Sequence, residues 1–405
     1  MKQRARTVTR FALHAAIAAV GAIGAGVAAR FVAPIAGRRL VETRVERRFN
    51  VLTGAPPRRV SHRARELHAT LRVADLHADS LLYGRDLLRR SVVGQVDVPR
   101  LIEGGVALQA LAACVRIPRH LNVERNEDTS DDVTFLALAL GWPARTWSSH
   151  LARALHLATR ARAFADRSGG QLTIVDSAAA LSVYLRRREA DSTLTAALLT
   201  IEGAAALDGD LANVDRLADA GFRMFGITHM VDNAFGGSAS GVVKGGLTGA
   251  GRDLVTRLEA RGLLVDVAHA SPATVSDVLA IARRPVVASH TGLAGVVPSP
   301  RNLADDQVAG IAATGGLVGV GFWPVACGGT DAAAVARSVV HAVRIAGLEH
   351  VALGSDFDGA VPTPFDASGL VQLTDALLAE GLTDDEVRAV VGDNAIRLLE
   401  RTLPA

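Results

Sequence analysis

Short apolar segments alternate with amphipathic stretches from residue 70 onward, and this alternation constrains the fold more than any other feature. The apolar segments are rich in Val, Ile, Leu and Ala, as expected for parallel strands that are covered on both faces. The stretches between them, such as 270–284 and 331–347, have helical periodicity. The predicted strands cover 73–77, 106–115, 197–203, 223–229, 263–269, 285–290, 315–322 and 350–357.

Eight repeated strand–helix units predict a (β/α)8 barrel of the TIM type. An open doubly wound sheet is the alternative, but no GxGxxG follows a predicted strand and no GxxxxGK[ST] occurs in the chain. Residues 116–196 form an insertion between the second and third predicted strands. Its acidic run at 122–132 is more typical of a solvated loop than of a cation site.

Polar side chains stand at the carboxyl ends of six of the eight predicted strands. In a barrel these ends meet at one mouth, where active sites are built. The side chains are imidazoles and carboxylates, namely His77, Asp79, Glu202, His229, His269, His290 and Asp356.

The clustering of these groups predicts a metal site. Burying so many ionisable side chains without an opposite charge is costly, and one or two divalent cations would supply it. His77 and Asp79 are two positions apart, so a strand would present both on the same side. Imidazole and carboxylate ligands suit zinc or, less specifically, manganese, iron or cobalt.

Charge is distributed unevenly along the 405 residues. Residues 1–65 contain fourteen Lys or Arg and two Glu, whereas the remainder contains thirty Lys or Arg and thirty-nine Asp or Glu. The folded part is therefore acidic, which argues against nucleic-acid binding. The two cysteines, Cys114 and Cys327, support no disulfide framework, and each is interpreted as a small buried hydrophobe.

The basic arm contains an apolar segment at 11–29 with no full charge. Nineteen helical residues span about 28 Å, close to the thickness of a bilayer core. We expect a membrane anchor, or a secretory signal if the segment is cleaved. A buried helix of a soluble protein is the third interpretation. Residues 1–59 are thus predicted to be an arm with a linker, and 60–405 a catalytic domain. The expected location is membrane-associated, or exported after cleavage.

An ordered set of motifs resembles the membrane dipeptidases, the renal-dipeptidase-like zinc peptidases of the amidohydrolase superfamily. The resemblance extends over about 60–402. The motifs are DLHADSL (75–81), IEG (201–203), GFRMFGITHMVDN (221–233), the segment 246–271, PVVASHTG (285–292), RNLADD (301–306) and LGSDFDG (353–359).

The resemblance implies a (β/α)8 barrel that holds two Zn²⁺ ions per chain. It implies that His77 and Asp79 bind one zinc, that His269 and His290 bind the second, and that Glu202 bridges both. It further implies that His229 contacts the substrate and stabilises the oxyanion, that Arg301 pairs with the substrate's C-terminal carboxylate, and that Asp356 transfers protons. A homodimer is also expected from the family.

These residues predict hydrolysis of the peptide bond in small dipeptides with a free C-terminal carboxylate. A hydroxide bridging the two metals would attack, with Glu202 suited to bridging and Asp356 to proton transfer. The main alternative is another binuclear metal amidohydrolase, acting on lactones, N-acyl amino acids or phosphoesters. A non-catalytic, membrane-tethered binding protein is the alternative from a different class. Arg301 favours the dipeptidase, because a guanidinium binds a carboxylate bidentately.

Overall fold

The computed structural model describes residues 36–54 and 57–405. These residues contain nine strands: β1 (Val73–Asp75), β2 (Val106–Cys114), β3 (Leu172–Ile174), β4 (Thr195–Glu202), β5 (Phe222–Gly226), β6 (Leu264–Asp266), β7 (Val286–Thr291), β8 (Leu317–Val320) and β9 (Val351–Leu353).

The strands form one parallel sheet in the order β2-β1-β9-β8-β7-β6-β5-β4-β3, and β2 also pairs with β4. This additional pairing runs in register from Leu108↔Ala196 to Cys114↔Glu202 and closes an eight-stranded barrel. The predicted barrel and all eight of its predicted strands are therefore confirmed. The short strand β3, inside the predicted insertion, was not predicted, and it extends the sheet from the edge of β4.

Helices surround the barrel. They are α1 (His62–His68), α2 (Val98–Glu103), α3 (Asp132–Ala139), α4 (His150–Arg167), α5 (Ala178–Ala190), α6 (Asn213–Asp219), α7 (Gly249–Ala260), α8 (Pro272–Ile281), α9 (Asp305–Ala313), α10 (Pro324–Cys327), α11 (Ala332–Ala346), α12 (Val371–Ala379), α13 (Asp384–Arg388) and α14 (Asn394–Thr402). Helix starts follow ordinary capping chemistry. At α8, Ser271 Oγ accepts from the Thr274 amide at 3.0 Å and Pro272 occupies the first helical position.

Each barrel strand contributes an apolar residue to one buried cluster that fills the barrel. The strand residues in it include Ala74, Leu108, Ala196, Met224, Leu264, Val287, Leu317 and Ala352. Ile396 and Leu399 of α14 join this cluster, so the C-terminal helix covers the amino end of the barrel. The polar side chains lie at the opposite end of the barrel, where the strands end. Side chains alternate between the two faces of a strand, so Glu202 on β4 points into the barrel as Ala196 does.

The described part of the basic arm packs against the barrel. A helical segment covers 36–49, with a π-helical turn at Glu42–Glu46 followed by Arg47–Phe49. Val41 and Glu46 are buried within it. The chain then runs beside the loop that follows β9, where the Thr53 amide donates to Thr363 O at 2.8 Å. Residues 36–54 therefore lie next to the loop that carries Asp356.

The predicted anchor or signal segment, 11–29, lies outside the described residues. Among the residues that the structure describes, no helix is both long enough and apolar enough to cross a bilayer. The anchor and the division of the chain near residue 60 stay predictions.

Candidate metal centre

The barrel brings the predicted strand-end residues together at its carboxyl end. Glu202 is the last residue of β4 and His290 lies near the end of β7. His77, Asp79, His229, His269 and Asp356 lie in the loops that directly follow their strands. All seven are at least nine-tenths buried except His229, which is partly exposed.

Four imidazoles converge on one carboxylate oxygen, Oε1 of Glu202. The Nε2 atoms of His269, His229, His77 and His290 lie 3.2, 3.4, 3.5 and 3.6 Å from it, respectively. The Nε2 atoms of His269 and His290 are themselves 2.9 Å apart. Nitrogen atoms this close to one another and to a carboxylate form a donor set that fits a transition-metal ion.

A second group of carboxylates also faces His77 Nε2. This atom is 3.7 Å from Asp79 Oδ2 and 4.0 Å from Asp356 Oδ1. The ligand atoms of these three residues lie within 4.8 Å of one another, as do those of His77, Glu202 and His290. The two groups share His77 and together bring five of the predicted residues within reach of a cation.

Several buried atoms of the cluster have no hydrogen-bond partner among the described residues. They are His77 Nε2, Asp79 Oδ1, Glu202 Oε2 and His269 Nδ1. Buried polar atoms are almost always paired, because an unpaired one costs about 1–3 kcal/mol. Unpaired atoms concentrated at one point therefore indicate that the site fits a bound cation.

The electrostatics of the cluster agree with this fit. Burial and the charge of Asp79 raise the pKa of Glu202 to about 8. Burial also raises the pKa of Asp356 well above its usual range. Burial opposes protonation of His77, but the nearby carboxylates, Glu202 foremost, outweigh it and raise its pKa to about 10. Protons would thus occupy the site in the absence of another cation.

Burial keeps the other imidazoles neutral, which is the form that binds metals. It lowers the pKa of His229 to about 4 and the pKa values of His269 and His290 well below their ordinary value. Ser289 Oγ donates to Asp266 Oδ2 at 2.6 Å and so accepts from Nδ1 of His290 at 2.9 Å. This leaves the lone pair of His290 on Nε2, which faces the cluster.

His229 is oriented in the same way by a backbone carbonyl. Its Nδ1 atom donates to Arg116 O at 3.0 Å, so neutral His229 presents an unprotonated Nε2 to Glu202. Gly203, which follows Glu202, has a φ of +88°, and a Cβ there would lie 2.9 Å from the backbone nitrogen of His229. Only glycine allows these two strand ends to approach so closely.

His269 and Asp356 both adopt left-handed backbone conformations, with φ of 62° and 61°. Such conformations cost a non-glycine residue about 1 kcal/mol or more and tend to occur at functional sites. Both residues direct a side chain from a strand end into the cluster.

Arg301 lies beside the cluster, 6% exposed. Its Nη2 donates to His290 O at 2.9 Å, and its Cζ lies 5.5 Å from the ring centre of Trp323. Burial lowers its pKa, although Asp356 and Glu202 oppose this effect. Because no ion pair engages it among the described residues, its remaining N–H groups are available to an anion. The structure therefore brings together all eight residues predicted from the sequence.

Cys114 also lies at the site, although it was not among the residues predicted from the sequence. It ends β2 opposite Glu202, and its Sγ lies 3.9 Å from Nδ1 of His229. Cys114, Glu202 and His229 form a further group with ligand atoms within 4.8 Å. Both cysteines are buried, as predicted. The position of Cys114 at a strand end, the criterion used for the other residues, was the available signal.

A closed parallel barrel whose strand ends gather imidazoles and carboxylates that fit a cation is the arrangement of a metal-dependent hydrolase. The sequence profile of one family, "Membrane dipeptidase (Peptidase family M19)", matches residues 61–403. The chain belongs to this family and is a metallopeptidase of the dipeptidase type. The resemblance drawn from the seven motifs is confirmed.

The chain is also similar to individual proteins. A curated uncharacterised protein of Klebsiella pneumoniae is 34% identical over 248 residues, which cover 58% of this chain and 90% of that protein. An uncharacterised dipeptidase of Schizosaccharomyces pombe is 30% identical over 217 residues, covering 50% of this chain and 52% of that protein. A solved metallopeptidase from Rhodobacter sphaeroides, bound to a phosphinate mimic of the dipeptide L-Ala-D-Ala, is 28% identical with a TM-score of 0.67. That match covers 82% of this chain and 99% of the other.

Proposed function

We propose that the chain is a dipeptidase that uses two zinc ions to hydrolyse dipeptides with a free C-terminal carboxylate. The observation that carries this proposal is the convergence of four imidazole Nε2 atoms on Glu202 Oε1 within 3.6 Å. The unpaired buried atoms around it support the same conclusion. Nitrogen and carboxylate ligands suit zinc best among the common hydrolytic metals.

The ligands divide between two positions. His77 and Asp79 would hold one ion, His269 and His290 the other, and Glu202 would contact both, since a carboxylate offers two oxygens. When bound, two such ions supply an activated water molecule and polarise the carbonyl of the scissile bond. Cys114 lies close enough to Glu202 to limit the space beside that carboxylate.

Arg301 would select the substrate by its carboxylate. Its guanidinium is buried, held by His290 O and by the face of Trp323, and has N–H groups to spare. A fork of this kind binds a carboxylate through two parallel hydrogen bonds. A carboxylate held one residue beyond the scissile bond restricts the enzyme to dipeptides. The dipeptide mimic bound to the relative from Rhodobacter sphaeroides supports this substrate class and suggests testing a D-residue at the second position.

Asp356 would move the proton. A carboxyl whose pKa is raised by burial can accept a proton from the attacking water and return it to the leaving amine. His229 would stabilise the oxyanion. Because its Nδ1 donates to Arg116 O, it can donate from Nε2 only in the protonated form, so its contribution requires the negative charge that develops in the transition state.

The test is metal content and turnover of the purified full-length chain in an uncharged detergent, with L-Ala-D-Ala and L-Ala-L-Ala as substrates. About two zinc per chain, with turnover lost on chelation and restored by zinc, is the expected result. A folded protein that binds no metal from zinc-containing buffer would refute the proposal. Chelation should not change turnover of an unrelated metal-free peptidase run as the control.

Arg301→Met separates the dipeptidase from other amidohydrolases on the same barrel. Loss of a bidentate charged pair should raise KM for dipeptides by about tenfold or more while metal content stays at two. Unchanged turnover of dipeptides, together with turnover of an uncharged lactone, would favour the alternative substrates.

We also propose that residues 11–29 attach the enzyme to a membrane, or direct its export if they are cleaved, and that the enzyme forms a homodimer. The support for the first proposal is the composition of the segment, and the support for the second is the family resemblance.

A further inference from the structure

A cavity of about 260 Å³ lies between the N-terminal helical segment, the loop after β1 and α4. Four arginines line it, and the cavity walls also include Asp86 and Phe164. The arginines are Arg38, Arg85, Arg160 and Arg167. None of the eight predicted site residues lines this cavity, so it is separate from the metal centre.

Two of these arginines are already neutralised. Arg85 forms ion pairs with Glu46 and with Asp358, the latter at 2.5 Å. Arg167 Nη2 lies 3.2 Å from Asp86 Oδ1. Arg38 and Arg160 have no ion pair with any carboxylate of the described residues. The cavity wall therefore carries about two uncompensated positive charges.

Arg160 is held in place by groups that do not neutralise it. Its Nη1 and Nη2 atoms donate to the carbonyls of Leu81 and Tyr83, each at 2.5 Å. A guanidinium has five N–H groups, so three remain. Burial and the charges of Arg38 and Arg85 lower the pKa of Arg160 to about 10, which shows how poorly the cationic form is stabilised.

Phe164 contacts two of the cations. Its ring centre lies 5.9 Å from Cζ of Arg160 and 5.4 Å from Cζ of Arg167, so the ring contacts both guanidinium groups. Two guanidinium groups on one aromatic ring, with a third arginine on the opposite segment, form a preorganised receptor for an anion with several oxygens. Guanidinium groups match the geometry of phosphate oxygens.

We propose that this cavity binds a phosphate group, either as a free phosphate or as the phosphate of an anionic lipid headgroup. The volume accommodates a phosphate with a small ester substituent such as glycerol. Six residues, 30–35, separate the apolar segment 11–29 from the helical segment that carries Arg38, and six residues can span at most about 20 Å. The cavity would therefore be within reach of the headgroups if that segment lies in a bilayer.

Thermal unfolding of the full-length chain in an uncharged detergent tests the proposal. The probes are inorganic phosphate and dihexanoyl phosphatidylglycerol, each compared with sodium chloride at equal ionic strength. A ligand that binds the folded chain alone raises Tm in a concentration-dependent way. We expect at least one of the two probes to do so. Stabilisation by the lipid alone identifies a headgroup phosphate, and stabilisation by inorganic phosphate identifies the free anion; either result supports the site when Arg38→Glu weakens it, because Arg301 at the metal centre could also bind an anion.

Arg38→Glu is the decisive variant, and Arg39→Glu is its matched control. Both residues are exposed, but Arg39 does not line the cavity, so the two variants change net charge equally. The affinity of the stabilising probe should fall about tenfold or more in Arg38→Glu, as expected for a lost charge-assisted contact, and should change little in Arg39→Glu. Arg160→Met should weaken binding similarly if it folds.

Two results would overturn the proposal. One is that neither probe raises Tm beyond the effect of chloride. The other is that Arg39→Glu weakens binding as much as Arg38→Glu, because a diffuse surface attraction rather than a built cavity would then explain the effect.

Discussion

Two buried clusters of charged residues stand side by side in this protein, and they differ in how their charges are satisfied. The metal centre leaves His77, Asp79, Glu202 and His269 each with an unpaired buried atom. The second cluster, which we call the closed cluster, comprises Glu46, Arg85 and Asp358. Its three residues are 1%, 8% and 0% exposed, and Arg85 pairs with both carboxylates. The donor set of the metal centre fits an external cation, whereas the closed cluster contains a cation of its own, Arg85.

Hydrogen bonds also hold Asp358 of the closed cluster in place. The carboxylate of Asp358 accepts from Ser80 Oγ at 2.6 Å and from the Gln95 amide at 2.7 Å, in addition to Arg85. Asp358 is two residues from Asp356, and both have left-handed backbones. The loop after β9 thus directs the Asp356 carboxylate into the metal centre, while the hydrogen bonds of the Asp358 carboxylate hold the loop in place. The protein's own donors hold Asp358, so the backbone beside Asp356, the proposed proton-transfer carboxylate, is fixed by contacts that do not involve Asp356 itself.

The largest effect is expected for Glu202→Gln. Loss of the carboxylate that all four imidazoles face should lower dipeptide turnover by about 10³-fold or more and reduce the bound zinc. The stability of the metal-free protein, in contrast, should not fall. Because burial disfavours the Glu202 carboxylate in the absence of metal, Tm of the metal-free variant should equal or exceed that of the metal-free wild type.

The measurements are zinc content, dipeptide turnover and thermal unfolding with and without a chelator. If Glu202→Gln lowered Tm of the metal-free protein by as much as a change in the closed cluster does, the metal centre would have to be a structural charge network, and the contrast between the two clusters would fail.

Arg85→Met should cause the largest loss of stability. It leaves Asp358, and above about pH 7 also Glu46, as a buried carboxylate without a counter-charge, and such a change costs about 3–5 kcal/mol of unfolding free energy. Denaturant unfolding of the metal-free protein measures it. Arg90→Met is the matched control, because Arg90 pairs with Glu103 where both side chains are about half exposed. Exposed pairs contribute about 0–1 kcal/mol. Equal losses in the two variants would contradict the structural role of the closed cluster.

The metal centre could be predicted from the sequence because its residues follow a local rule. Each one stands at the end of an apolar run, as His77 and Glu202 do, and a barrel brings all strand ends to one mouth. Cys114 obeys the same rule but was passed over because a thiol at a strand end is more often a packing residue.

The closed cluster could not be found in this way. Glu46 lies in an arm that reads as a charged helix, and Arg85 lies in a loop with no recognisable pattern. Their contact spans 39 residues, and the contact between Arg85 and Asp358 spans 273. Nothing in the spacing of single charges indicates which of them will be buried together. Strand β3 escaped prediction for a similar reason, because its three residues carry too little periodicity to be recognised.

The smallest of the three effects concerns pH. Burial raises the pKa of Glu46 from 4.5 to about 7; the Arg85 charge offsets this only in part and the Asp358 charge adds to it. Below pH 4.5 the carboxyl is protonated in both the folded and the unfolded chain, so it contributes no pH dependence. Between pH 4.5 and 7 the folded chain keeps a proton that the unfolded chain has released, and the free energy of unfolding falls as pH rises.

The total loss from this residue is about 3 kcal/mol, at roughly 1.4 kcal/mol per pH unit. Glu46→Gln removes the titrating group but keeps its shape, so its unfolding free energy should fall less than that of the wild type between pH 5 and pH 7.5. Glu66→Gln, the same change at an exposed position of α1, should leave the wild-type profile intact. If Glu46→Gln and wild type had parallel profiles, Arg85 would already hold Glu46 in its charged form, and the closed cluster would be an ion triad at every pH at which the enzyme folds.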